Sequence, residues 1–219
     1  MKKFAFIVLF CMFVSPAFAD VSQITVGSAT VNIPIPAGFV DVTHTAPELT
    51  SNFRSLIAQS GNRLEALILT NEDAQLQHPE LQRYFLIQVM PGMENRLTVR
   101  DFAEGRRQMR DMIGAEMLDE IGGDINQLLS QHNVRLGEMR FVPFESESEN
   151  HIAFSMIMNM SAVVDGQAVE RIMLGSYAMV LANERLFNVY VYSAYNDAGD
   201  LPWTQSTLNN WVNAIISAN

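Results

Sequence analysis

Three features of this sequence predict an α+β domain: a mainly antiparallel sheet with helices packed on one or both faces. Residues 151–195 hold three consecutive stretches with strand-like alternation or β-rich composition. Tight-turn signals separate those stretches. Segments before and after them carry apolar residues at helical spacing.

In the first stretch, His151 to Val164, Phe154, Met156, Met158, Met160 and Ala162 share one face, and Ser155, Asn159 and Ser161 share the other. Side chains of a strand alternate with period 2, so this predicts a half-buried strand with its methionine face inward. Asp165-Gly166 follows, a dipeptide suited to the positive φ angles of a type I′ hairpin turn. Ala168 to Leu181 returns as a second strand, Asn183-Glu184 turns again, and Leu186 to Tyr195 forms a third. The third has apolar groups on both faces, which predicts a central, covered strand.

Earlier in the chain, Ile24 to Val42 reads as a strand pair or bent strand interrupted by Pro34 and Pro36. Thr45 is placed to cap a helix with Pro47 in its first turn, Leu49, Phe53, Leu56 and Ile57 on its inner face, and Gly61 at its end. Leu64–Thr70 and Arg83–Met90 predict strands, with the polar residues 71–82 a loop between them. Thr98 with Asp101 resembles a capping box for a helix running to about Leu118, broken by Gly122-Gly123. A short helix follows from Asp124 to Gln131, then a strand from Val134 to Phe144. Pro202 opens a final helix that sets Leu208, Trp211, Val212, Ile215 and Ile216 on one face, predicted to lie on the sheet.

The first 19 of 219 residues have the form of a signal peptide: Lys2-Lys3, an apolar run from Phe4 to Val14, and an Ala17-Phe18-Ala19 cleavage site. Cleavage after Ala19 implies a periplasmic or secreted single domain of residues 20–219. Phe10 precedes Cys11 where a lipid-anchor signal carries a small residue. The predicted mature chain contains neither cysteine nor lysine, because Cys11, Lys2 and Lys3 all leave with the leader. Losing two lysines takes the formal charge from −10 to −12. Disulfides, thiol nucleophiles, Schiff-base lysines and P-loop lysines are then excluded. A strongly acidic chain also disfavours nucleic acid and anionic lipid as partners. No later apolar run is long enough for a transmembrane helix.

The order of elements, with Ile33-Pro34-Ile35-Pro36-Ala37-Gly38-Phe39, the Asp165-Gly166 hairpin, Val189-Tyr190-Val191-Tyr192-Ser193 and the terminal helix bearing Trp211, resembles the PsbP-like family of extracytoplasmic accessory proteins. The resemblance implies an α/β/α sandwich and a mostly non-catalytic role, with no functional residue carried over.

Each candidate site competes with an ordinary structural role. Met156, Met158 and Met160 suit Cu(I) chemically, but Phe154 and Ala162 on the same face favour core packing. Glu145, Glu147 and Glu149 suit a hard cation, yet no calcium-loop spacing surrounds them. His44, His78, His132 and His151 lack the local spacing of a metal motif, and His78 is the first candidate for a lone general base. Gly175-Ser176-Tyr177 and Gly27-Ser28 do not continue as nucleophile elbows. Arg100, Arg107 and Arg110, with Arg96 and Arg106, form the one basic concentration, where an anionic group could dock. Interleaved Asp101, Glu104 and Asp111 favour a solvated helix face.

No catalytic residue, metal site or cofactor is assigned. The expected function is a non-catalytic accessory or binding protein of the cell envelope, with another envelope or extracellular protein as partner. The alternatives are a hydrolase whose site assembles only in space and a small-ligand carrier with a cavity between sheet and helices.

Overall fold

The computed structural model describes residues 18–112, 134–164 and 167–219. Strands β1 (Phe18–Val26), β2 (Ala29–Pro36) and β3 (Phe39–Asp41) come first, followed by helix α1 (Pro47–Gln59) and strand β4 (Arg63–Thr70). A 3₁₀ turn (Asp73–Gln75), β5 (Arg83–Val89) and α2 (Val99–Met112) come next. The chain ends with β6 (Val134–Ser148), β7 (His151–Val164), β8 (Gln167–Ala182), β9 (Arg185–Ala194) and α3 (Asp200–Ser217). Seven strands form one sheet in the order β3-β4-β5-β9-β8-β7-β6, with every neighbouring pair antiparallel. Among the described residues, β1 and β2 pair only with each other.

One face of the sheet presents Ala66, Ile68, Phe85, Ile87, Val180, Phe187, Val189 and Val191. Two elements cover it. The β1–β2 ribbon contributes Ile24, Val26, Val31, Ile33 and Ile35, and α3 contributes Leu208, Trp211, Val212 and Ile215. The opposite face holds Leu67, Leu69 and Leu86 under Leu49, Phe53 and Ile57 of α1, and Ile152 and Leu181 against Phe102 of α2. Covering both faces removes the sheet's apolar groups from water, the main favourable term in folding. β9 is central between β5 and β8, as its two apolar faces predict.

Several local expectations are corrected. α1 begins at Pro47 with Ala46 at its N-cap and no side-chain cap, so Thr45 does not cap it. α3 starts at Asp200, two residues before Pro202. β6 extends through Glu147 to Ser148, beyond the predicted end at Phe144. β7 is not simply half-buried: Ala153 and Ser155 on its second face are also buried. Ser155 is tolerated there because its hydroxyl bonds that of Ser176 across the strands at 2.8 Å. The capping box is present, with the Asp101 N–H donating to Thr98 Oγ1 and the Thr98 N–H to Asp101 Oδ2, both at 3.2 Å. Asn183 and Glu184 both take positive φ, +48° and +58°, as the predicted turn requires. The Asp165-Gly166 turn, the extension of α2 to Leu118, the Gly122-Gly123 break and the helix at Asp124–Gln131 lie outside the described residues. Strand pairing runs to Val164 opposite Gln167, the residues that flank that turn.

Candidate functional site

The sheet ends in an open cleft of about 660 Å³ where β4 stops, β5 starts and β9 stops, lined by Thr70, Glu72, Asp73, Leu76, Glu80, Gln82, Arg83 and Asn196. Residues 71–82 form its outer wall, and local hydrogen bonds fix their path. Thr70 Oγ1 accepts from the Asp73 N–H (3.0 Å) and so starts the 3₁₀ turn. Asp73 Oδ1 accepts from the Glu80 N–H (3.1 Å) and ties the two ends of the wall together. Arg171 Nη1 of β8 donates to the Glu80 carbonyl (3.0 Å), and the Ala194 N–H donates to the Gln82 carbonyl (2.8 Å). A polar segment without periodicity is thus held in one shape by its backbone partners.

The floor is equally fixed. Asp200 is buried and accepts the N–H groups of Asn196 (2.8 Å) and Asp197 (3.0 Å) on Oδ2 and Arg83 Nη2 (2.9 Å) on Oδ1. Those backbone donors first, and Arg83 second, hold its carboxyl below the usual range. The Arg83 guanidinium also lies 4.1 Å from the ring centroid of Trp203. Glu72, Asp73 and Glu80 have no ion-pair partner among the described residues. Gln82 Nε2 donates to Glu80 Oε2 (3.1 Å), while Gln82 Oε1 is buried with no donor among the described residues. The cleft is therefore rich in acceptors and negative in charge. Arg171 also lines a second open cleft of about 470 Å³, together with Gly137, Glu138, Asn159, Met160, Ser161, Glu170 and Ile172.

A serine and a histidine do meet in space, but at the other end of the sheet. His151 Nε2 lies 2.9 Å from Ser146 Oγ and Nδ1 lies 2.8 Å from Ser148 Oγ. Ser146 also donates to Asn209 Oδ1 of α3. A hydroxyl has one proton, so Ser146 accepts from His151 Nε2–H, and Ser148 donates to Nδ1. This polarity is opposite to that of a general base drawing a proton from Ser146. The group is a buried relay joining β6, β7 and α3.

Burial, then the charge of Arg106, lowers the pKa of His151 against the weaker opposing pull of Glu147. The unfolded chain consequently takes up this proton first as pH falls from above 6.5. Stability is full above that value and declines as pH drops through the folded pKa. The urea midpoint is expected to fall between pH 7.5 and pH 5.5, and to fall less in His151→Gln. Equal declines in both proteins would show that another group carries the effect.

The remaining sequence candidates are dispersed. Arg107 pairs with Glu104, Arg110 pairs with Glu147, and Arg100 stands exposed on α2, so the three do not line either cleft. Arg106 Nε lies 3.2 Å from Glu147 Oε1 in an ion pair that lacks hydrogen-bond alignment. Glu147 is thus shared by two arginines, Glu149 is exposed, and the Glu145 side chain lies outside the described residues. No group of three His, Cys, Asp or Glu side chains that could hold a metal ion occurs among the described residues. Met156, Met158 and Met160 pack with Leu136, Met173, Ala194 and Tyr192 as core. His44 and His78 are exposed, and His132 lies outside the described residues. Asp73, Glu80, Gln82, Arg83, Asn196 and Asp200 carried no sequence motif; the one available signal was a polar stretch between two strands.

An α+β sheet covered on both faces, with an acceptor-rich cleft at one end, is the class of protein these features define. Comparison with protein-family models, curated proteins and solved structures gives no match. No helix among the described residues is long and apolar enough to cross a membrane.

Proposed function

We propose that this is a non-catalytic binding protein of the cell envelope, exported by the leader at residues 1–19 and acting on another envelope or extracellular protein. The observation that carries the reading is the cleft between β4, β5 and β9. Its walls are fastened by hydrogen bonds, and its lining supplies acceptors and apolar surface but no nucleophile paired with a base. A fixed concave site with a few placed polar groups fits recognition. The resemblance to PsbP-like accessory proteins points the same way.

The test is capture from the protein's own envelope fraction, with the mature N-terminus read by mass spectrometry. A chain starting at Asp20, and a stoichiometric partner retained by the wild type but lost with Leu76→Arg, are expected. A retained leader, or the absence of any partner, would overturn the reading.

A further inference from the structure

We propose that the cleft between β4, β5 and β9 binds a cationic side chain, an ammonium or guanidinium group, on a basic segment of the partner protein. This inference rests on the binding-protein reading and adds the chemistry of the partner.

Two acceptors in the cleft lining lack a full set of donors. Asp73 is only 6% exposed. Its Oδ1 accepts the Glu80 N–H, and Oδ2 receives no donor among the described residues. Gln82 Oε1, in the same lining, is buried without a donor among the described residues. The buried carbonyl is costly to leave unpaired, and Asp73 Oδ2, which stays open to solvent, is free to accept an N–H from an entering group. The two nearby arginines do not serve this need. Arg83 is committed to Asp200 and Trp203, and Arg171 Nη1 is spent on the Glu80 carbonyl.

Charge sets the sign of the ligand. Glu72, Asp73 and Glu80 lack ion-pair partners among the described residues, so an anionic ligand meets repulsion and a cation is attracted. The acidic chain as a whole, at a formal charge of −10, steers cations in the same way.

Apolar surface selects a peptide segment over a free amine. Leu76 in the cleft wall is 51% exposed. Tyr195, 45% exposed, precedes the cleft residue Asn196 and donates its N–H to the carbonyl of Ile172 (2.9 Å), a residue 41% exposed that lines the neighbouring second cleft. They offer contact to the stem of a lysine or arginine and to apolar residues beside it. A small diffusible amine would leave them bare.

The experiment titrates the processed protein with an acetylated, amidated twelve-residue peptide of alternating arginine and leucine. Anisotropy of the labelled peptide gives Kd, and the difference in tryptophan emission between the protein and its Trp203→Phe variant reports on the site, because Arg83 both lines the cleft and covers the Trp203 indole. Saturable binding with a Trp203 response is expected, weakened about fivefold in Glu72→Gln/Glu80→Gln and more in Asp73→Asn. The exposed double variant keeps the test valid if Asp73→Asn fails to fold. Absence of binding, or equal binding by the double variant, would overturn the proposal. Agmatine binding as tightly as the peptide would also overturn it, in favour of a small-amine site. If the envelope capture yields a partner that the double variant still retains, the binding-protein reading stands while this inference falls. If it yields no partner at all, the reading itself falls.

Discussion

Replacing Trp211 with alanine is expected to destabilise the protein by about 4–5 kcal/mol, the upper part of the range for deleting a large buried aromatic side chain. Trp211 is fully buried at the centre of the core beneath α3. Its ring sits 4.9 Å from that of Phe85 in an edge-to-face contact, and Phe85 in turn packs on Phe39 at 4.6 Å. The indole N–H donates to the Pro34 carbonyl at 2.8 Å, so one side chain fastens α3 to the β1–β2 ribbon across the sheet face. Alanine removes the ring volume and leaves that carbonyl without its donor, and the two losses add. Trp211→Phe separates them, because it keeps most of the volume and loses the donor; about 1–2 kcal/mol is expected. Urea unfolding measures both from the shift in midpoint at unchanged slope. A loss below about 1 kcal/mol for alanine would refute the central place given to this residue.

Gly27→Ala should follow at about 2–4 kcal/mol, from a backbone penalty and a collision together. Gly27 turns β1 into β2 with φ +61°, where an L side chain is strained. A Cβ there would also run into the backbone carbonyl oxygen of Glu94, which cannot swing aside as a side chain can. The turn is pinned on its other side by Arg185, whose Nε donates to the Val26 carbonyl and Nη2 to Ser28 Oγ, each at 3.2 Å. The ribbon must therefore shift off the sheet to accept the methyl group. Gly38 supplies the comparison: its φ is +84°, yet no atom lies within 4 Å of a Cβ built on it. Gly38→Ala should cost about 1 kcal/mol. Equal losses at the two positions would mean that the contact with Glu94 adds nothing.

The cleft marks the boundary of what local pattern can predict. β7, β8 and β9 were legible because period-2 alternation and turn dipeptides are local properties of the chain. The faces of α1 and α3 were legible from helical spacing. Residues 71–82 have neither periodicity, and their shape comes from partners far away in sequence: Arg171, Ala194 and Gly38, whose carbonyl accepts the Asn71 N–H. His151 and Asn209 are 58 positions apart, and strand β6 brings Ser146 against both. The half-buried assignment of β7 failed for the same reason. Its second face is buried at Ala153 and Ser155 because it borders β8, the strand on which α3, 36 residues after β7 ends, packs.

By itself the sequence determined the α+β class, the long antiparallel hairpins of β7, β8 and β9, the central position of β9, the capping box of α2 and the inward face of α3. All of these follow from spacings within a dozen residues, which the backbone geometry of strands and helices converts directly into faces. Only the tertiary structure decided that β1 and β2 leave the sheet to share a core with α3, that the arginines of α2 pair with Glu104 and Glu147, and that Asp73, Gln82, Arg83 and Asp200 gather around one cleft. Those outcomes depend on pairings between distant segments, and a polar residue carries no local mark of which distant donor or acceptor it will meet.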